Sequence, residues 1–285
     1  MKRKGIAKSK YVASLLRLTR AGNLFIIAFS QYFTAGFLLD KSTLDDLRLL
    51  ILSASTVMIA AAGYIINDYY DVKIDYINKP DRVIIGKTIT RRYAILFHVL
   101  LSFMGVSLGV LLHWKIGLVH AFSVFLLWFY SNYLKRQPFV GNFAVAVLTG
   151  LSILVIDLLY HANNPLIYIY ASFAFFMTLI REIIKDIEDL RGDNSFGCKT
   201  LPILLGVRRT KNVIYLILVI FAVIVVVLNY FYKALPFSYY ILFLFGPLVF
   251  LLLRLARADM KKDFSFLSSF CKVIMLLGII SMAFV

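Results

Sequence analysis

The chain has 285 residues, of which 61% are hydrophobic, and a mean hydropathy of +0.84, which excludes an ordinary soluble domain and points to an integral membrane protein. Its net charge of +16 raises nucleic acid as a partner, so the placement of the charge has to decide. Stretches of about 17 to 25 apolar residues are long enough to cross the hydrocarbon core as helices, and no alternating barrel pattern is present.

In chain order, a basic segment over residues 1–21 precedes nine candidate spans. These are 22–39, 47–66, 93–112, 116–133, 139–160, 164–181, 212–232, 237–256 and 266–285. With the N-terminus in the cytoplasm, 26 of the 31 basic residues fall on the inner side, counting Arg181 and Arg254 at the inner ends of their spans. Lys41, Arg48, Lys115 and Lys233 lie outside, and Lys272 falls within the last span. The positive-inside rule explains this asymmetry without nucleic acid. It puts the C-terminus outside, in a chain integral to the cell (inner) membrane.

The start, Met1-Lys2-Arg3-Lys4 with Lys8 and Lys10, reads as an n-region or as a patch for anionic lipid. The first apolar run lacks a small-residue cleavage site of the usual form, so span one is expected to be retained. Small residues Ala60-Ala61-Ala62-Gly63 in span two permit close helix approach. Asn67-Asp68-Tyr69-Tyr70-Asp71-Val72-Lys73-Ile74-Asp75 follows them. Its aspartates at i, i+3 and i+7 share one helix face.

The pattern recurs after span six as Asp186, Asp189 and Asp193, offset by 118 positions. Gly86-Lys87-Thr88-Ile89 and Arg91-Arg92 follow the first copy. Gly197-Cys198-Lys199-Thr200-Leu201 and Arg208-Arg209 follow the second. Two related cytoplasmic cap loops, after spans two and six, would then close the two halves of one bundle, read as a single domain over residues 1–285.

Nine of the fifteen acidic residues belong to these loops: Asp68, Asp71, Asp75, Asp81, Glu182, Asp186, Glu188, Asp189 and Asp193. Hard carboxylate oxygens suit Mg²⁺, which takes one or two carboxylates together with phosphate oxygens and water. Two such clusters could grip one diphosphate through bridging ions. The bland alternative is a solvated face paired with Lys73, Lys185 and Arg191. Cys198 and Cys271 have no metal or disulfide spacing, and His98, His113, His120 and His161 are scattered. Pro202 marks a loop break and Gly246-Pro247 a kink in span eight. Asp157 and Asn229 are polar at membrane depth, and Asp157 is expected to be paired or interfacial.

The paired motifs Asn67-Asp68-xx-Asp71-xxx-Asp75 and Asp186-xx-Asp189-xxx-Asp193 resemble the signatures of the UbiA superfamily of intramembrane prenyltransferases. Arg20-Ala21-Gly22-Asn23 resembles its Arg-x-x-Asn start, and Tyr130-Ser131-Asn132-Tyr133-Leu134-Lys135 with Gly141-Asn142 resembles its Tyr/Lys segment. The resemblance covers essentially the whole chain. It implies an all-α bundle of nine transmembrane helices around a central cavity, a Mg²⁺-held isoprenyl diphosphate donor and a lipophilic acceptor.

By the same resemblance Asn67, Asp71, Asp189 and Asp193 are the metal ligands, while Asp68, Asp75 and Asp186 support them or hold basic partners. Arg82, Lys199, Lys135, Arg20 and Asn23 are candidates for the diphosphate, with Lys73, Lys79 and Lys87 behind them. Tyr130 is a candidate to shield a carbocation with its ring, although tyrosine is also common at membrane interfaces.

Asn78-Lys79-Pro80-Asp81-Arg82-Val83-Ile84-Ile85-Gly86-Lys87 looks closest to the branch that makes digeranylgeranylglyceryl phosphate, although that branch usually carries proline within the stretch held here by Val83-Ile84-Ile85. The reaction so implied is transfer of a C20-like polyprenyl group to a hydroxyl of a prenylated glycerol phosphate. Prenylation of an aromatic quinone precursor is the rival within the class. A cation-coupled transporter or a non-catalytic lipid-binding protein stands outside it.

Overall fold

The computed structural model describes residues 11–78, 80, 83–232 and 245–285. Among them the chain is helical, and the one β-bridge, Ile85 with Ile89, closes a turn. After a helical stretch over residues 11–18, the helices in order are α1 (Ala21–Phe33), α2 (Leu47–Asn78), α3 (Arg91–Leu112), α4 (Trp114–Asn132) and α5 (Val140–Tyr160). They continue as α6 (Pro165–Glu188), the short α7 (Leu190–Ser195), α8 (Leu201–Tyr232), α9 (Gly246–Ala256) and α10 (Lys261–Ser281). Among the described residues, eight helices are long and apolar enough to cross a membrane, and α9 is a shorter apolar helix of 11 residues. Residues 237–244 of the expected eighth span, Met1–Lys10, and the charged residues Lys79, Asp81 and Arg82 lie outside the described residues.

The chain packs as two compact units, residues 1–29 with 46–134 and residues 30–45 with 135–285. The first is built on α2, α3 and α4. Where lipid supplies no hydrophobic drive, helices associate by close packing over small residues. At Gly105 of α3 a methyl group would lie 2.7 Å from Ile59 Cγ1 and 3.0 Å from the Ser55 carbonyl oxygen of α2, so a larger residue forces the two helices apart.

The second unit is organised around α6, the most deeply buried of the membrane-length helices. Asn164 caps it, its Oδ1 accepting from the Leu166 amide at 2.9 Å while its Nδ2 donates to the Leu38 carbonyl at 2.6 Å. Pro165 occupies the first turn, where a missing amide hydrogen costs nothing. Met177, Ile180, Ile183, Ile184 and Ile187 then join the core with α8, α9 and α10.

Two expectations are corrected in position. The first acidic motif lies inside α2 and not on a loop: 32 residues make a helix about 48 Å long, well beyond the roughly 30 Å hydrocarbon core. Pro202 opens α8, whose non-helical break falls at Gly206 (φ 78°), while the kink expected at Gly246-Pro247 involves residues 237–244, which lie outside the described residues. The Asp157 expectation holds, since Tyr168 Oη donates to its Oδ2 at 2.9 Å.

Candidate active site

The first motif occupies the last turns of α2, with Asn67, Asp68, Asp71 and Asp75 each half-buried. Asp68 is held by the residue that enters α1. Arg20 Nη2 donates to Asp68 Oδ1 at 2.9 Å, and the same guanidinium lies 4.7 Å from the Tyr64 ring centre. Asn23 Nδ2 donates to the Tyr64 hydroxyl at 3.2 Å. Arg20 takes a left-handed backbone (φ 52°), a conformation that costs a residue other than glycine and persists where neighbours over-determine it.

The segment after the motif is pinned from below. Ile85 and Ile89 are buried in a cluster with Leu18, Ile65 and Ala94, which draws the turn at Gly86-Lys87-Thr88 back toward the end of α2. Lys87 Nζ donates to the Pro80 carbonyl at 3.1 Å and lies 5.1 Å from the Tyr76 ring centre. Arg91 lies 4.4 Å from the Tyr69 ring centre. Tyr130 is half-buried in the last turn of α4.

In the second unit the motif straddles a break. Asp186 belongs to α6, Asp189 sits at the bend with φ −94° and ψ 7°, and Asp193 lies in α7. The bend is closed by backbone bonds: the Gly192 and Asp193 amides donate to the Asp189 carbonyl, and the Cys198 amide donates to that of Asp193 at 3.0 Å. The Lys199 amide then donates to the Arg136 carbonyl at 2.8 Å, which ties the exposed Lys199 to the short turn Leu134–Arg136 that carries the half-buried Lys135.

Charge compensation differs along α6. Glu182 is buried and pairs with Arg181 and with Lys185, the latter at 3.6 Å. Asp186 instead accepts a hydrogen bond from Asn142 Nδ2 at 2.9 Å, and Asn142 is itself buried in the first turn of α5. Tyr64 is a residue that the sequence reading does not single out, and Asn142 enters it only within the Gly141-Asn142 resemblance, without its partner Asp186. A signal existed: Gly22-Asn23 and Gly141-Asn142 repeat at an offset of 119, nearly that of the acidic motifs.

The donor set fits magnesium. Each motif by itself offers hard oxygens, Asn67 and Asp71 in the first and Asp189 and Asp193 in the second, with no thiolate or imidazole among them. Among the described residues no three His, Cys, Asp or Glu side chains gather as a metal site.

Residues 28–277 match the UbiA prenyltransferase family. A relative in Methanobrevibacter smithii, digeranylgeranylglyceryl phosphate synthase, is 33% identical over 94% of this chain and 96% of its own. The protein of the same name in Saccharolobus solfataricus is 37% identical over 74% of this chain and 75% of its own. A solved structure described as digeranylgeranylglyceryl phosphate synthase in membranes has a TM-score of 0.74 at 24% identity, over 96% of this chain and 98% of the other. A UbiA homolog from Archaeoglobus fulgidus bound to DMAPP and Mg²⁺ has a TM-score of 0.63 at 16% identity, over 95% of this chain and 100% of the other. The chain is therefore an integral membrane protein with the UbiA fold, and it belongs to the UbiA prenyltransferase family.

Proposed function

We propose that this prenyltransferase moves a C20-like polyprenyl group from an isoprenyl diphosphate to a hydroxyl of a prenylated glycerol phosphate, with Mg²⁺ as cofactor. The observation that carries the reading is the repeated acidic motif, ending a membrane-length helix once in each unit, in a family whose similar members are named digeranylgeranylglyceryl phosphate synthases.

In this reading Asn67, Asp71, Asp189 and Asp193 hold magnesium, which neutralises the diphosphate so that it can leave. Arg82, Lys135 and Lys199 supply charge-assisted donors to the phosphate oxygens. Asp68, Asp75, Asp186, Arg20 and Asn23 hold those groups in place, and the Tyr130 ring faces the reacting carbon. The allylic C–O bond breaks with its electron pair on the diphosphate, the acceptor hydroxyl oxygen forms the new ether bond, and its proton leaves for solvent or a nearby carboxylate. The single domain has nine spans, with its N-terminus and both motifs on the cytoplasmic side and its C-terminus outside.

The test is magnesium-dependent transfer by the purified protein in nanodiscs. Labelled geranylgeranyl diphosphate is offered with geranylgeranylglyceryl phosphate, 4-hydroxybenzoate and a naphthoate, and products are read by mass. Product with the glycerol phosphate supports the reading. Product with an aromatic acceptor alone replaces it by quinone-precursor prenylation, and no turnover with any acceptor contradicts it.

A further inference from the structure

The leading aspartates of the two motifs, Asp68 and Asp186, occupy matching places in the repeat but are held by chemically different groups. Asp68 is answered by a guanidinium, so the pair carries no net charge. Asp186 is answered by a neutral amide, so its hydrogen bond fixes the carboxylate without cancelling it. Each donor enters from the start of a helix in the same unit, Arg20 just before α1 and Asn142 in the first turn of α5.

The second arrangement is built into the fold. Phe139, immediately before α5, takes a left-handed backbone (φ 65°) that sets the direction in which the helix begins. Gly141 and Asn142 are both buried behind it. The partner, Asp186, stands one turn before the bend at Asp189, so whatever holds Asp186 also fixes where the chain turns and where Asp189 and Asp193 are presented. Carboxylates at 182, 186, 189 and 193 repel one another along this stretch, and Glu182 is already paired with Arg181 and Lys185. An amide donor fixes the orientation of Asp186 without bringing a charge of its own.

Resting on the proposed function, we infer that Asn142 is a positioning residue for the second acidic motif, holding Asp186 through its side-chain amide so that Asp189 and Asp193 stand ready for the magnesium diphosphate. It acts through Asp186 and touches neither metal nor substrate. Groups that hydrogen-bond to metal-site carboxylates commonly change metal affinity by about 10- to 100-fold when removed.

The test measures Mn²⁺ binding by electron paramagnetic resonance to the full chain in nanodiscs, with the unreactive thiolo analogue of geranylgeranyl diphosphate present. Asn142→Leu keeps the volume and removes the donor, and its Mn²⁺ dissociation constant should rise about tenfold. Asn142→Asp sets two carboxylates against each other and should weaken binding further. The exchange Asn142→Asp with Asp186→Asn restores one amide and one carboxylate and should return affinity to within about threefold of the parent.

Unchanged Mn²⁺ affinity in folded Asn142→Leu overturns the inference alone. So does an exchange variant that binds no better than Asn142→Asp, which decides the matter even if Asn142→Leu does not fold. Loss of binding only in proportion to unfolded protein, read from thermal unfolding of the same samples, also overturns it. Parent protein that binds no Mn²⁺ with the analogue present removes the functional reading and this inference with it.

Discussion

At the scale of single residues, the first motif depends on Arg20, a long side chain that serves a carboxylate and an aromatic face together. Guanidinium and ammonium are not equivalent in such a place, since the planar fork both pairs and stacks. Arg20→Lys should therefore show most of the effect of Arg20→Ala, and both should lower transfer rate by about tenfold, consistent with about 1.5 kcal/mol for a charge-assisted bond. Steady-state rates at saturating magnesium check this; full activity in Arg20→Ala would mean that Asp68 needs no anchor. The sequence placed Arg20 and Asn23 near the diphosphate by resemblance. Their contacts with Asp68 and Tyr64 span 48 and 41 residues, and no local pattern encodes a pairing at that separation.

At the scale of elements, helix crossings rest on a few close approaches. Gly105→Leu places its side chain against Ile59 and the Ser55 carbonyl, and overpacking of this kind costs about 1–3 kcal/mol. Its thermal unfolding midpoint in detergent should fall by several degrees, whereas Gly22→Ala, with open space around it, should leave the midpoint near the parent value. Equal midpoints for the two would show that the α2–α3 crossing is not tight. Hydrophobic length made the spans legible in the sequence, and the i, i+3, i+7 spacing made the acidic face legible. Where α2 stops was not legible, because polar residues past the membrane boundary continue a helix as readily as they begin a loop. Proline was ambiguous for a related reason: in a first turn it starts a helix and in the interior it bends one, and Pro202 does the former.

At the scale of the whole molecule, the charge asymmetry predicts a fixed orientation that labelling can read. Cys198 and Cys271 are buried, so single exposed cysteines report cleanly. Ser195→Cys, beside the second motif, should react with a membrane-impermeant maleimide only when the cytoplasmic face is open. Ser42→Cys, in the turn between α1 and α2, should react in intact cells. The reverse pattern would invert the topology. The repeat was visible in the sequence because its acidic residues stand out against an apolar background. The Gly-Asn pair that contains Asn142 repeats Gly22-Asn23 in the sequence, but its partner was not visible, because no local pattern encodes a pairing 44 residues away.

If the two acidic motifs serve one magnesium-dependent transfer, as proposed, a comparison of the parent with Asp71→Asn and Asp189→Asn reads it. The measurement is the rate of transfer of labelled geranylgeranyl from its diphosphate to geranylgeranylglyceryl phosphate across a magnesium titration. Each substitution alone should reduce the rate at least about a hundredfold, because loss of either proposed ligand would leave the departing diphosphate under-neutralised. Full transfer by either variant, with the parent's dependence on magnesium, would contradict the account.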